Sequence, residues 1–204
     1  MCFAMRVRAH TGRRRNDAAR DAILAAAAEL LESHGGANIT MASIAARAGA
    51  GKQTLYRWWP TKGALLLEAM VALAESEVVR TETGDLKSDL TSFVRATFAA
   101  ASKHRSLLLG VLREALTDPA TAADLGEFAA SRRAALREIF EAAVERGEIM
   151  QRGAIDLVVD QVFGVLWYRL IFDNSPLTRA AAGRLVEGVL GQLTPAMSAP
   201  DYQR

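Results

Sequence analysis

The chain has 204 residues, half of them hydrophobic, which is enough to bury one large core or two small ones. The net charge is only +2, but it is unevenly held: residues 1–62 carry a balance of +6 and the remainder a balance of −4. A basic first third on a mildly acidic remainder is the footprint of a nucleic-acid module joined to something else, and it weighs against a uniformly basic or acidic binder.

Alanine and leucine abound, proline is scarce and no alternating strand pattern appears, so the chain is predicted to be all-α. Residues 1–16 read as a disordered basic arm with Arg6, Arg8, Arg13, Arg14 and Arg15. Such an arm is either a solvated tail or a contact to phosphates or the minor groove. A first helix is predicted from Asp17 to Ser33, with Leu24, Ala27, Ala28 and Leu31 on its apolar face and His34-Gly35-Gly36 as its end. Thr40 is a good N-cap for a second helix, Met41–Ala48, whose Ile44, Ala45 and Ala48 share one face. Gly49 falls just past it, where a left-handed backbone costs glycine little. A third helix, Lys52 to Trp58, is stopped by Pro60. Two short helices joined by a tight glycine turn form the unit that places a recognition helix in the major groove, so this stretch implies sequence-specific DNA binding.

A fourth helix is predicted over 61–80, with Leu65, Leu66, Ala69, Met70 and Leu73 inward. Thr83-Gly84-Asp85 reads as a break, and Asp85 as the cap of a fifth helix, Leu86–Ser102. A sixth helix covers Arg105–Leu116. Asp118-Pro119 is a helix-start signal for a long seventh helix that Gly147 ends. The eighth helix, Asp156–Phe172, is apolar nearly all round, and a helix of that kind must be buried on all sides. The ninth, Leu177–Leu193, carries Gly183, Gly188 and Gly191, which let helices approach closely. These two helices, about 155–193, are therefore expected to pair with a second copy in a four-helix homodimer interface. The last residues, with Pro195 and Pro200, read as a frayed tail.

With about nine helices, the expected domains are a helix-turn-helix domain at 17–62 and a ligand-binding and dimerisation domain at 63–195, linked by the fourth helix. The run AARAGAGKQTLYRWWPTKGALL and the helix before it resemble the TetR/AcrR family of transcriptional regulators. The resemblance rests on Gly49, Lys52, Thr54, Leu55, Tyr56, Trp58, Trp59 and Lys62. Gly51 departs from it, standing where many members have Ser or Thr, which weakens a cap and a phosphate contact there. GDLKSDL and VFGVLWYRLIF are similar to segments of a C-terminal regulatory subgroup. The resemblance implies a homodimeric repressor that leaves a palindromic operator, an inverted repeat in double-stranded DNA, when a small-molecule effector binds.

On the short recognition helix, Gln53 can pair bidentately with adenine, and Lys52 or Arg57 can donate to guanine. Thr54 can offer its methyl to thymine or its hydroxyl to phosphate. Leu55 falls on the inner face with Ile44 and Ala45. The resemblance makes Tyr56 a phosphate or base contact and Thr40, Ser43 and Lys62 backbone clamps. Trp58 either reaches the DNA backbone or packs, and Trp59 packs against the first helix. For the effector, Met70, Phe93, Phe98, Phe128, Phe163 and Trp167 are candidate pocket walls. Arg113 and Arg132 are candidate orienting groups, with Glu114, Asp160 and Arg169 as further polar positions.

Cys2 is the sole cysteine, so neither an intramolecular disulfide nor a cysteine metal cluster is expected, and a reducing, cytoplasmic setting fits. The three histidines lack metal-ligand spacing, and no nucleophile motif, phosphate loop or dinucleotide fingerprint appears, so an enzyme is not expected and no cofactor is implied. No run of about eighteen apolar residues predicts a membrane span. The remaining alternative is a helical ligand carrier or interaction module whose basic end only solubilises it.

Overall fold

The computed structural model describes residues 11–33, 39–77, 82–149 and 152–193. Among them are nine α-helices and one short 3-10 turn, Arg152–Ala154. The helices are α1 (Thr11–Ser33), α2 (Met41–Ala48), α3 (Lys52–Trp58), α4 (Lys62–Glu77), α5 (Leu86–Lys103), α6 (Arg105–Ala115), α7 (Pro119–Glu145), α8 (Ile155–Phe172) and α9 (Arg179–Leu193).

Most boundaries follow the local signals. Asp85 caps α5 by accepting from the Ser88 amide at 2.8 Å, and Asp118 caps α7 with Pro119 in its first turn. Two expectations are corrected. The helix α1 begins at Thr11 and not at Asp17, so residues 11–16 of the expected disordered arm have helical backbone. Arginine is a good helix former, and Arg13–Arg15 extend the helix where charge alone suggested a tail. The helix α9 begins at Arg179 because Thr178 caps it, accepting from the Ala181 amide at 3.1 Å. Residues 1–10, the His34-Gly35-Gly36 turn, the expected end of α4 at 78–80 and the C-terminal tail lie outside the described residues.

Two hydrophobic cores form. The first gathers α1 (Ile23, Leu24, Ala27, Leu31), α2 (Ile44, Ala45), α3 (Leu55) and α4 (Leu65, Leu66, Ala69, Met70), and extends into α6 through Leu107 and Val111. The second is built from α5, α7, α8 and α9, with Leu90, Phe98, Leu136, Phe140, Val162 and Val186 fully enclosed. The cores therefore do not divide at residue 62. Both α4 and α6 sit in the first core while connecting to the second. Gly110 of α6 lies so close to Leu31 of α1 that a Cβ there would stand 3.2 Å from a leucine methyl. At Gly63 the approach is closer still: a Cβ would meet the Thr121 hydroxyl at 2.1 Å, so only glycine lets the start of α4 touch the start of α7.

Candidate nucleic-acid interface and effector cavity

The helix-turn-helix is held by reciprocal capping. The Ser43 amide donates to Thr40 Oγ1 at 3.1 Å, and the Thr40 amide donates to Ser43 Oγ at 2.9 Å, a capping box that fixes the entry of α2. Gly49 closes the helix at φ 64°, and the Ala50 amide reaches back to the Ala45 carbonyl at 2.9 Å. Thr40 and Ser43 thus have a local structural task at the position expected to meet phosphate. Gly51 precedes α3 without a side-chain cap.

On α3 the side chains separate by face. Leu55 is fully buried among Ile44 and Ala45, as its position predicted. Lys52, Gln53, Tyr56 and Arg57 are exposed together, and Thr54 is half-buried between the two faces. Trp59 is buried, and its indole N–H donates to Glu68 Oε2 on α4 at 2.9 Å. Trp58 is half-buried and meets Trp59 edge to face at 5.6 Å, with the Arg57 guanidinium 5.9 Å from its ring centre, so packing is part of its role. Ion pairs Arg47–Glu29 at 2.7 Å and Arg20–Glu68 at 2.6 Å tie α2 and α4 to α1.

Lys62, expected as a phosphate clamp, has partners within the fold. Its ammonium donates to the Ile39 carbonyl at 3.2 Å and pairs with Glu114 of α6 at 2.9 Å. A carboxylate and a carbonyl at these distances satisfy the half-buried ammonium, and the contact joins head to body.

A cavity of about 300 Å³ lies between α4, α5, α6, α7 and α8. Of the expected walls, Met70, Phe128, Phe163 and Trp167 line it, together with Arg132. Three do not. Phe93 and Phe98 are buried in the second core, because their positions on α5 face α7 to α9. Arg113 is exposed on α6, away from the lining. The sequence reading missed Thr97, Leu107, Leu108 and His104, which reach the cavity only through the packing of five helices.

His104 joins α5 to α6. Its Nε2 lies 3.0 Å from Glu77 Oε1 on α4, and its Nδ1 lies 3.4 Å from Glu32 on α1. Lys103 also reaches Glu77 at 2.7 Å. Burial acts to raise the Glu77 carboxyl, but the hydrogen bonds and charges of Lys103 and His104 outweigh it and hold the carboxyl below its ordinary range. At the rim, Arg133 pairs with Asp160. Arg132 is different: its Nη2 is buried without an acceptor, and burial lowers the pKa of the guanidinium. Among the described residues, no cluster of His, Cys, Asp or Glu could hold a metal ion, and no helix is long and apolar enough to cross a membrane.

A three-helix head that presents a polar, cationic helix face, carried on a helical body, defines a helix-turn-helix DNA-binding transcriptional regulator. Comparison with known proteins gives the particular family. Residues 23–69 match the family described as bacterial regulatory proteins, tetR family, and residues 80–189 match the tetracyclin repressor-like C-terminal domain. The uncharacterized HTH-type transcriptional regulator Rv1556 of Mycobacterium tuberculosis is 34% identical over 169 residues, covering 82% of this chain and 84% of the relative. The DNA-binding transcriptional repressor TetR of Mycobacteroides abscessus is 32% identical over 186 residues, covering 83% and 90%. The crystal structure of the TetR family transcription regulator SCO0332 superposes with a TM-score of 0.70 at 32% identity, covering 87% of this chain and 99% of that one. The chain belongs to the TetR family of bacterial transcriptional regulators, whose members typically dimerise and respond to small-molecule effectors. The reading as a carrier without DNA binding gives way to this assignment.

Proposed function

We propose that this regulator is a homodimeric cytoplasmic repressor that leaves an inverted-repeat operator when a small molecule fills the cavity. The observation that carries this reading is shared membership: Met70 of α4 and Leu107 of α6 line the cavity and also belong to the core that supports α3. An occupant that displaces them acts directly on the packing of the head. Two recognition helices spaced for adjacent major grooves lose that spacing, and the equilibrium moves off DNA by the ligand's difference in affinity for the two states.

In this reading Lys52, Gln53, Tyr56 and Arg57 read the groove, Thr54 and Trp58 flank it, and Thr40 and Ser43 meet phosphate while capping α2. Lys62 serves the joint. The dimer forms through α8 and α9. Within one protomer Leu157, Tyr168 and Phe172 are 57%, 56% and 66% exposed, and with Gly164 they make one stripe along α8. Beside it, Gly183, Gly188 and Gly191 of α9 have open space over their Cα atoms. A stripe of that kind favours a second copy.

Selection of bound sequences from random duplex DNA at about physiological salt tests the proposal. The expected result is one enriched inverted repeat, bound by a sedimenting dimer. Enrichment of a single half-site by a monomer would overturn it.

A further inference from the structure

We infer that the cavity takes an apolar molecule carrying a single carboxylate, held by Arg132 with help from Thr97. This rests on the cavity being the effector site proposed above and adds the chemical class of its occupant. Three residues that line the cavity each hold a buried polar atom without a hydrogen-bond partner: Arg132 Nη2 from α7, Thr97 Oγ1 from α5 and His104 Nδ1 between α5 and α6, and of these His104 alone has a carboxylate nearby, Glu32 at 3.4 Å. A buried donor without an acceptor is costly, and a buried charge more so, so native proteins supply a partner or reserve the group for a ligand. The neighbouring acids are already engaged: Asp160 by Arg133, Glu77 by Lys103 and His104. Phe93 lies beneath the guanidinium, 5.2 Å from ring centre to Cζ.

The charge tally selects the anion. Arg133 and Asp160 cancel, and His104 is matched by Glu77 and Glu32, which leaves Arg132 as the charge without an ion-pair partner among the described lining residues. One guanidinium matches one carboxylate, which can accept two parallel N–H bonds; a dianionic phosphate would bring one charge too many into an apolar chamber. The Thr97 hydroxyl supplies a further donor. The rest of the lining is mostly apolar, with Met70, Leu107, Phe128, Phe163 and Trp167 as its large side chains and His104 as a further polar group, and it suits an alkyl or aryl body. A volume of about 300 Å³ stands at the small end of ligand pockets, and favours a compact acid over a long conjugate.

The test is calorimetric titration of the full chain with matched carboxylate, alcohol and amine triads on medium-length alkyl and bicyclic aryl bodies. The carboxylate of a triad is expected to bind about 10- to 100-fold tighter than its alcohol, and the amine weakest. Arg132→Leu should close the gap between acid and alcohol and at the same time raise the melting temperature of the ligand-free protein, because it removes a half-buried charge whose Nη2 has no acceptor. Arg132→Lys keeps the charge without the fork, should retain a reduced gap, and serves where the leucine variant does not fold. Thr97→Val should narrow the gap in part. Alcohols or amines binding as tightly as acids, or a gap that survives Arg132→Leu, would overturn the carboxylate assignment and leave the cavity as an effector site. Binding by no member of any triad would remove the effector site itself, and the inference with it.

Discussion

On α3 the side chains proposed to read DNA stand away from the core and one residue, Leu55, anchors them. In the body the arrangement is inverted: the side chains proposed to meet an effector line a chamber walled by five helices. The head can therefore change what it reads without repacking, because Lys52, Gln53, Tyr56 and Arg57 touch little of the protein. The cavity cannot change without consequence, because Met70 and Leu107 belong to it and to the head's core together. In the proposed reading, specificity for DNA is a surface property and responsiveness a packing property.

The strongest way to break this separation is at the anchor. Leu55→Ala removes a fully buried side chain from α3 and should cost about 2–5 kcal/mol of stability, read by denaturant unfolding, with operator binding lost as the head loosens. Next comes the joint. Gly63→Ala places a methyl against Thr121, whose hydroxyl donates to Asp118 Oδ2 at 2.7 Å and so has little freedom to retreat. About 1–3 kcal/mol of destabilisation is expected. Gly63→Ala with Thr121→Ser should not restore it fully, since the hydroxyl is the atom the new Cβ meets. Full recovery in that double variant would mean that the Thr121 methyl, and not the hydroxyl, sets the approach of α4 to α7.

The surface and the joint are separated more finely by Gln53 and Lys62. Gln53→Ala should leave the unfolding midpoint unchanged and relax preference at one operator base pair by about 1–3 kcal/mol, measured by binding to single-base variants. Lys62→Ala should leave the salt dependence of DNA binding unchanged, because its ammonium is held by Glu114 and Ile39. A double-mutant cycle with Glu114→Ala should show coupling of about 1 kcal/mol or less in stability. A salt slope reduced by about one would instead return Lys62 to the phosphate clamp that its sequence position suggested.

The same contrast explains what was legible in the sequence. The head was read nearly residue by residue: the Thr40 cap, the Gly49 turn, the span of α3 and the burial of Leu55 all follow from local rules acting within one or two helical turns. The partners of Lys62 were not legible, because they lie on the loop before α2 and on α6, at separations that spacing cannot reveal. In the body, helices five to nine were found from caps and breaks such as Asp85 and Asp118. Phe93 and Phe98 lie on the inward stripe of α5 that their spacing indicates, but an apolar stripe does not say which of its members meet the cavity and which the core. Thr97 belongs to the same stripe, and only the packed structure shows that it reaches the cavity. His104 carried no motif, since its role comes from Glu32 and Glu77 on two other helices.

The smallest expected effect lies at that histidine cluster, where the cavity, α1 and α4 converge. Glu77 is held below its ordinary pKa in the folded state although burial alone would raise it, because Lys103 and His104 favour its charged form. A carboxyl depressed on folding contributes stability that is present above its unfolded value, 4.5, and is lost as pH falls through the lower folded value. The sign follows from proton count: in that window the unfolded chain binds the proton and the folded chain does not. Glu77→Gln should therefore flatten the acid limb of the stability profile below about pH 4.5 and lower the plateau modestly above it, since the carboxylate is partly open to solvent and screened. If the acid limb keeps its slope in Glu77→Gln, the pH dependence resides elsewhere, and the His104 bridge joins α4 to α1 by contact alone, without a charge that the cavity's occupant could perturb.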